Sequence, residues 1–169
     1  MDAIQALLTR KSIRKYSLAA VSQKSINILL KVAMQAPSAH NSQSWHFIII
    51  RDPKSLDEIK KFHPYASMLT KASCAIAVCG DTEIEKSIEY NALNCAAATE
   101  NILIAAHALG LGAVWLGIFP RIERIASLKS LLRIPDHIIP ITLVSIGHPA
   151  EEKPFDNRFK ADRVHIGSW

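Results

Sequence analysis

Cysteine and glycine are scarce in this chain of 169 residues, which contains 3 Cys and 6 Gly. Cys74, Cys79 and Cys95 stand in apolar surroundings, with neither a CxxC motif nor a cysteine–histidine spacing typical of zinc sites. Nothing in this pattern indicates a disulfide framework. The odd number of cysteines fits the reducing cytoplasm, which is the expected location of the protein.

Long hydrophobic runs are also missing, because polar residues interrupt every apolar stretch well before the roughly 20 residues that a spanning helix needs. The N-terminus lacks the apolar core and cleavage site of a signal peptide. We therefore expect a soluble protein with no membrane partner. Linkers and internal repeats are absent, and 49% of the residues are apolar, so residues 1–169 are predicted to form a single domain.

Several common catalytic motifs are absent as well. The chain has no GxxxxGK[ST] phosphate loop, no GxSxG nucleophile elbow and no HExxH zinc helix. Its seven histidines show no ligand spacing along the sequence, so no metal site is predicted. Gly110 and Gly112 superficially suggest a dinucleotide-binding loop, but Trp115 occupies the third glycine position and the helix precedes the strand. Gly110 is instead interpreted as a helix C-cap.

Hydrophobic spacing predicts both helices and strands. Residues 2–9 and a segment that starts after the N-cap Ser22 have amphipathic helical patterns. Apolar runs rich in β-branched or aromatic residues predict strands over 45–50, 74–79, 113–116 and 138–146. A helix over residues 90–109 is apolar almost all round, which predicts burial. Its alanines fit either a helix-mediated homodimer or a central helix covered by its own sheet.

Positive charge is concentrated near the two ends of the chain, whose net charge is +5. This charge fits a nucleic-acid partner, a phosphate-bearing ligand or simply solvated surface. No aromatic residues interleave the basic ones as a nucleic-acid surface would favour. The basic final segment, residues 154–169, ends in an aromatic residue and is interpreted as an arm that embraces a partner.

Two segments suit a polar ligand. Arg10, Ser12 and Arg14 alternate along an extended segment after a helix, and would converge on one phosphate or merely satisfy the helix C-terminus. Residues 36–45 place amides and hydroxyls between a helix and a strand. That loop suits the edge of a polar heteroaromatic ring, or else it is a capped connection.

Four segments resemble, in order and spacing, the nitroreductase-like family of FMN-dependent oxidoreductases: RKSIRKYS (10–17), APSAHNSQSWHF (36–47), CAAATENILIAAHALGLGAVWLGIFP (95–120) and the NRFKADRVHIGSW ending. The resemblance implies an α+β fold with a central, mostly antiparallel sheet packed by helices and a long buried central helix. It also implies a homodimer with FMN at the interface and a C-terminal arm around the partner.

The implied activity is hydride transfer from NADH or NADPH through flavin N5 to a nitroaromatic, quinone or similar electron-poor acceptor, in a ping-pong cycle. Since the flavin carries this chemistry, no catalytic side chain is required. Same-fold alternatives are a flavoenzyme of different chemistry, such as reductive dehalogenation or flavin destruction, and a non-catalytic flavin-binding or sensing module. A basic, flavin-free dimer that binds nucleic acid is the remaining alternative.

The resemblance also assigns cofactor-binding residues in this sequence. The phosphate and ribityl side of FMN falls to Arg10, Lys11, Ser12 and Arg14, completed by Arg158 and Lys160 from the arm. The other subunit would contribute Pro37, Ser38, Ala39 and Asn41. The isoalloxazine ring would lie along Val114, Trp115, Leu116 and Gly117, with a backbone N–H near Leu116 or Gly117 directed at N5.

Three features depart from the family pattern. Ser44 stands where Pro often follows Gln43, and Asn94 stands where Asp commonly precedes the Cys-Ala-Ala run. Little sequence separates the second strand from the long helix. An open active site, without a helical lid, is therefore expected.

Overall fold

The computed structural model describes residues 1–169 and contains five α-helices and four β-strands. In chain order these are α1 (Ala3–Thr9), α2 (Gln23–Ala33), β1 (Trp45–Ile50), α3 (Pro53–Phe62), β2 (Cys74–Asp81), α4 (Ile88–Ala108), β3 (Gly112–Gly117), α5 (Ile122–Leu132) and β4 (Ile138–Gly147). The four predicted strands are confirmed, and α3 and α5 are additional to the predicted helices. No helix combines the length and apolarity needed to cross a bilayer.

The ends of the helices follow local sequence signals. Side chains of Asp2, Ser22, Asp52 and Ser87 each accept a hydrogen bond from the backbone N–H three residues later, which caps α1, α2, α3 and α4. Helix α4 ends where Gly110 adopts a φ of 72°, as its interpretation as a C-cap requires. The chain can therefore turn directly from α4 into β3.

The sheet is antiparallel throughout, in the order β1-β2-β4-β3. Successive side chains along each strand point to opposite faces of the sheet and pack into two hydrophobic cores, one on each face. In β2, Ile76 and Val78 face one cluster, which includes residues of α2 and α4, while Ala75 and Ala77 face another, formed with α3 and α5. Because β2 is buried on both faces, it is apolar along nearly its whole length.

Helix α4 spans 21 residues and buries eight of them, confirming a long central helix with a buried face. Three of those eight are polar, namely Asn91, Asn94 and Thr99, and all three are hydrogen-bonded. On another side of the same helix, Leu93 is 64% exposed. The burial of α4 within one chain is therefore one-sided.

The segment that follows α1 lies against the ends of β3 and β4. Gly112 and Gly147 are paired across these strands, and a Cβ on either would come within 2.7 Å of Ile13 or Tyr16, respectively. The Tyr16 hydroxyl donates to the carbonyls of Ile13 (2.8 Å) and Ser145 (3.2 Å). Burial raises the pKa of Tyr16 to about 12. Because Gly112 and Gly147 have no side chains, Ile13 and Tyr16 can pack directly against β3 and β4.

Candidate functional site

The free edge of β3 is the backbone frame of the candidate site. The Ala113 carbonyl accepts from Ile13 N–H at 3.0 Å, so it points away from β4. The Gly117 carbonyl, bound by Arg124 at 2.8 Å, also points away from β4. Backbone groups alternate in direction along a strand. The N–H groups of Trp115 and Gly117 therefore face the free edge, whereas the Leu116 N–H faces β4.

Two side chains that were not predicted from the sequence, His63 at the end of α3 and Arg124 in α5, hydrogen-bond to the Gly117 carbonyl. His63 Nε2 lies 3.0 Å from this oxygen and Arg124 Nη1 donates to it. The other ring nitrogen of His63, Nδ1, lies 3.3 Å from the Tyr65 N–H, so both ring nitrogens have a polar partner. Burial, reinforced by the nearby Arg124 charge, lowers the pKa of His63.

Three of the predicted phosphate-binding residues line one cleft. Arg10, Lys11 and Arg158 surround a space of about 190 Å³ between α1 and the C-terminal arm. Arg10 Nε is 3.4 Å from a carboxylate oxygen of Glu100, and its side chain is 18% exposed. Arg158 pairs with Asp156 at 3.1 Å. The structure thus brings residues from both ends of the chain together around a positively charged cleft.

The remaining phosphate candidates are placed differently. Arg14 lines a second cleft, together with Lys15 and Lys71. Ser12 lies at the β3 edge, where it forms a bridge with Ala113, and its carbonyl accepts from Lys153 Nζ at 2.6 Å. Lys160 is exposed on the arm and lines neither cleft. Arg10 and Arg14 therefore do not meet at one point within this chain.

The loop of Pro37, Ser38, Ala39 and Asn41 has an unusual backbone. His40, Asn41 and Gln43 have φ values of 54°, 53° and 49°. Non-glycine residues seldom adopt such angles, and clusters of them occur mostly at functional sites. The loop is fixed by Ala39 N–H, which donates to Asn94 Oδ1 at 2.8 Å, and by Gln43 N–H, which donates to Ser38 Oγ at 3.0 Å.

The two residues that depart from the family pattern, Ser44 and Asn94, contact each other. Asn94 Nδ2 donates to Ser44 Oγ at 3.3 Å, and both residues are buried. The same amide nitrogen lies 3.2 Å from Ser42 Oγ. An ionised Asp could not donate these hydrogen bonds, and Pro at position 44 could not accept one through a side chain. Ser44 and Asn94 therefore complement each other, and their hydrogen bond helps to fix the loop of residues 37–44 against α4.

The two halves of the predicted site are separated within the chain. The loop of residues 37–41 contacts α4 at Asn94, whereas the end of α1 contacts it through Arg10–Glu100 and Thr9–His107. At 1.5 Å per residue, these contacts lie about 9–20 Å apart along α4. The Arg10 cleft and the loop of residues 37–41 therefore contact different parts of α4.

The cysteines do not contribute a nucleophile to this region. All three are buried and free. Burial raises the pKa of Cys74 to about 11 and that of Cys79 to about 12, and it also raises that of Cys95. Since the thiolate is the reactive form, these thiols are inert at neutral pH.

Comparisons with known proteins agree with the geometry. The profile of the nitroreductase family matches residues 7–73 and 62–148. A provisionally named NADH dehydrogenase/NAD(P)H nitroreductase of Archaeoglobus fulgidus is 45% identical over 172 residues, covering 99% of each chain. A crystal structure with the same provisional name from Parabacteroides distasonis is 37% identical, has a TM-score of 0.95 and covers 99% of this chain and 98% of that one. A provisionally named nitroreductase from Desulfovibrio desulfuricans, solved in complex with FMN, is 31% identical at a TM-score of 0.86, covering 100% of this chain and 98% of that one.

Proposed function

Because the chain belongs to the nitroreductase family, we propose that it is an NAD(P)H-dependent FMN oxidoreductase. The observation that carries this proposal is the pairing of a positively charged cleft with the free edge of β3. The cleft of Arg10, Lys11 and Arg158 suits a phosphate, and Ser12 links that region to the strand.

The residues present fit an FMN molecule. Arg10, Lys11 and Arg158 would hold the phosphate, and the ring would lie along residues 114–117. A Cβ built at Gly117 meets nothing within 4 Å, so there is free space beside this backbone. By the alternation of the strand, the N–H of Gly117, rather than that of Leu116, is the donor available to N5. His63 and Arg124 fix the peptide group through its carbonyl.

When bound, FMN supplies the acceptance and donation of hydride. The chain's own residues would bind the cofactor and orient its ring. Gly117 N–H presents a fixed hydrogen-bond donor, and the positive charges of Arg10, Lys11 and Arg158 would offset the negative charge of the phosphate. No protein acid, base or nucleophile is assigned.

The connection between β2 and α4 is short. Only six residues, Thr82 to Ser87, connect β2 to α4, too few to build a helical lid. We propose that NADH or NADPH and the acceptor occupy the same open place in turn, which gives ping-pong kinetics. A flat, electron-poor acceptor such as a nitroaromatic or quinone fits this requirement, because it stacks on the ring without further recognition.

A homodimer would complete the site. Apolar side chains are exposed on α1 and α4, where Leu7, Leu8 and Leu93 are 52%, 63% and 64% exposed. The arm has no buried residue and exposes Phe155, Phe159, Val164, Ile166 and Trp169. Antiparallel packing of two α4 helices would cover these surfaces. It would also place residues 37–41 of one chain beside the Arg10 cleft of the other.

The first test is the visible spectrum of the purified protein, supplemented with FMN and freed of excess. It is recorded without oxygen before and after NADH, then NADPH. Bound flavin absorbance that bleaches at turnover rates supports the oxidoreductase and identifies its preferred donor. Bound flavin that neither donor reduces would replace this proposal with a flavin-binding module. Failure to bind FMN would overturn it and favour a nucleic-acid or other partner for the basic surface.

A further inference from the structure

Asp81, the last residue of β2, is the only carboxylate among the buried residues, at 7% exposure. Its only side-chain ion-pair partner is His46, whose Nε2 lies 3.2 Å from Oδ2. No lysine or arginine pairs with it. Buried charges in proteins are usually paired with an opposite charge or coordinate a metal ion. The Asp81 carboxylate therefore has an imidazole and two backbone N–H groups as partners but no lysine or arginine, and its remaining lone pairs are suited to a cation.

Two further ligand-type side chains meet Asp81 at this point. One ligand atom from each of Asp81, Glu83 and His137 lies within 4.8 Å of the others. The side chains of Glu83 and His137 are 71% and 38% exposed, so an ion can reach them from solvent. Spacing along the sequence did not predict this cluster, because Asp81 and Glu83 are more than 50 residues from His137.

The backbone fixes the spacing of these residues. Asp81 is paired with Ile138 in the sheet, which places His137 beside the end of β2. Thr82 donates to the His137 carbonyl through both its N–H and its hydroxyl, each at 2.9 Å. Asp81 Oδ1 also accepts from Glu83 N–H at 2.7 Å. The backbone positions of these residues are thus fixed by main-chain contacts before any ion arrives.

We propose that Asp81, Glu83 and His137 form a binding site for a divalent transition-metal ion of the Zn²⁺ type, with His46 as a positioning residue. One imidazole and two carboxylates, with water at the fourth position, are ligands that Zn²⁺ accepts. Tetrahedral Zn²⁺ holds its ligand atoms about 3.4 Å apart. His137 Nδ1 and Glu83 Oε1 lie 4.0 Å apart, and rotation of the exposed Glu83 side chain would bring this pair to that distance. His46 orients the Asp81 carboxylate, as outer hydrogen-bond partners do in metal sites.

The bound ion would join the end of β2 to the start of β4 and leave the oxidation state of every group unchanged. The test is calorimetric titration of the FMN-supplemented, chelator-treated protein with Zn²⁺, followed by thermal unfolding with and without Zn²⁺. We expect one equivalent per chain and a rise in Tm with Zn²⁺. His137→Ala and Glu83→Gln should each weaken binding at least about tenfold, and His46→Ala about 10–100-fold.

The matched control is His40→Ala. His40 Nδ1 lies 3.7 Å from Glu85 Oε2, so this neighbouring pair offers the same residue types without a buried aspartate. Its loss should change Zn²⁺ affinity less than twofold. Glu83→Gln alters an exposed side chain, which keeps the test valid should a variant at Asp81 misfold.

Three outcomes would overturn the site: no saturable binding below 100 μM Zn²⁺, equal affinity in His137→Ala, or equally effective competition by Mg²⁺. Mg²⁺ requires six oxygen ligands in octahedral geometry, so its success would indicate a merely acidic surface. Flavin absorbance measured in the same samples reports separately on the oxidoreductase proposal.

Discussion

Arg10 illustrates how single residues prepare the candidate site. Its guanidinium is mostly shielded from water and lies beside the Glu100 carboxylate. A phosphate would compete with Glu100 for the same donors, and Lys11 and Arg158 supply the additional positive charge that favours the phosphate. Arg14 lines a separate cleft, which contains neither Lys11 nor Arg158.

Arg10→Ala and Arg14→Ala together test which arginine holds the cofactor phosphate. Loss of a charge-assisted hydrogen bond worth about 1.5–3 kcal/mol should weaken FMN binding by roughly 10–150-fold. The family resemblance predicts this loss for both residues, whereas the cleft predicts the larger effect for Arg10. FMN titration by fluorescence quenching measures it, with the exposed Lys54→Ala as control. Unchanged affinity in both variants would contradict the phosphate assignment.

His63 should make stability depend on pH. Burial lowers its pKa in the folded chain, whereas the unfolded chain protonates near pH 6.5. Above that pH both states are neutral and the contribution is constant. As pH falls below about 6.5, the unfolded state binds the proton first, so the free energy of unfolding decreases toward the folded pKa. Urea unfolding from pH 5 to 8 should show this decrease relative to His63→Gln; parallel profiles would contradict it.

At the level of elements, the seating of residues 12–16 on the sheet depends on two missing side chains. Gly147→Ala would place a Cβ 2.7 Å from the Tyr16 ring and should destabilise the fold by about 1–3 kcal/mol in urea unfolding. Gly117→Ala is the contrasting variant, because its Cβ meets nothing within 4 Å. It should fold normally but bind FMN more weakly. Normal FMN affinity in folded Gly117→Ala would remove the flavin ring from this strand.

Local patterns predicted those elements whose signals are local. All four strands were predicted from apolar runs rich in β-branched or aromatic residues, and α1 and α2 from helical spacing, with Ser22 as the predicted cap of α2. Helix α3 was missed because it buries only Leu56 and Ile59 among charged residues, although its Asp52-Pro53 start was a usable signal. Helix α5 begins without a side-chain cap at Arg121.

Residues that meet only through tertiary contacts could not be predicted from their spacing in the sequence. His63 and Arg124 converge on Gly117 from two different helical regions. The Asp81–Glu83–His137 cluster is assembled by the β2–β4 register. The Ser44–Asn94 contact likewise joins positions 50 residues apart. Their sequence positions carry no shared period, so only the folded topology identifies them.

At the level of the whole molecule, the exposed apolar surface of α1 and α4 predicts the assembly. Leu93→Glu would place a charge in the proposed contact between two chains, where an unpaired buried charge is strongly unfavourable. We expect sedimentation velocity to show that Leu93→Glu is monomeric. Its FMN affinity should be lower, because the proposed site needs both chains. Ile122→Glu, at a site 79% exposed on the opposite side of the sheet, should remain dimeric. A dimeric Leu93→Glu would contradict this interface.

In the proposed dimer, the separation of the two half-sites along α4 has a genetic consequence. Consider a chain altered at Arg10 mixed with another altered in residues 37–41, each inactive alone. In a mixed dimer, one site receives both defects, while the other combines an intact Arg10 with an intact loop. Half of the sites in such heterodimers would be whole. Two loss-of-function alleles of this protein should therefore complement each other when they are expressed together.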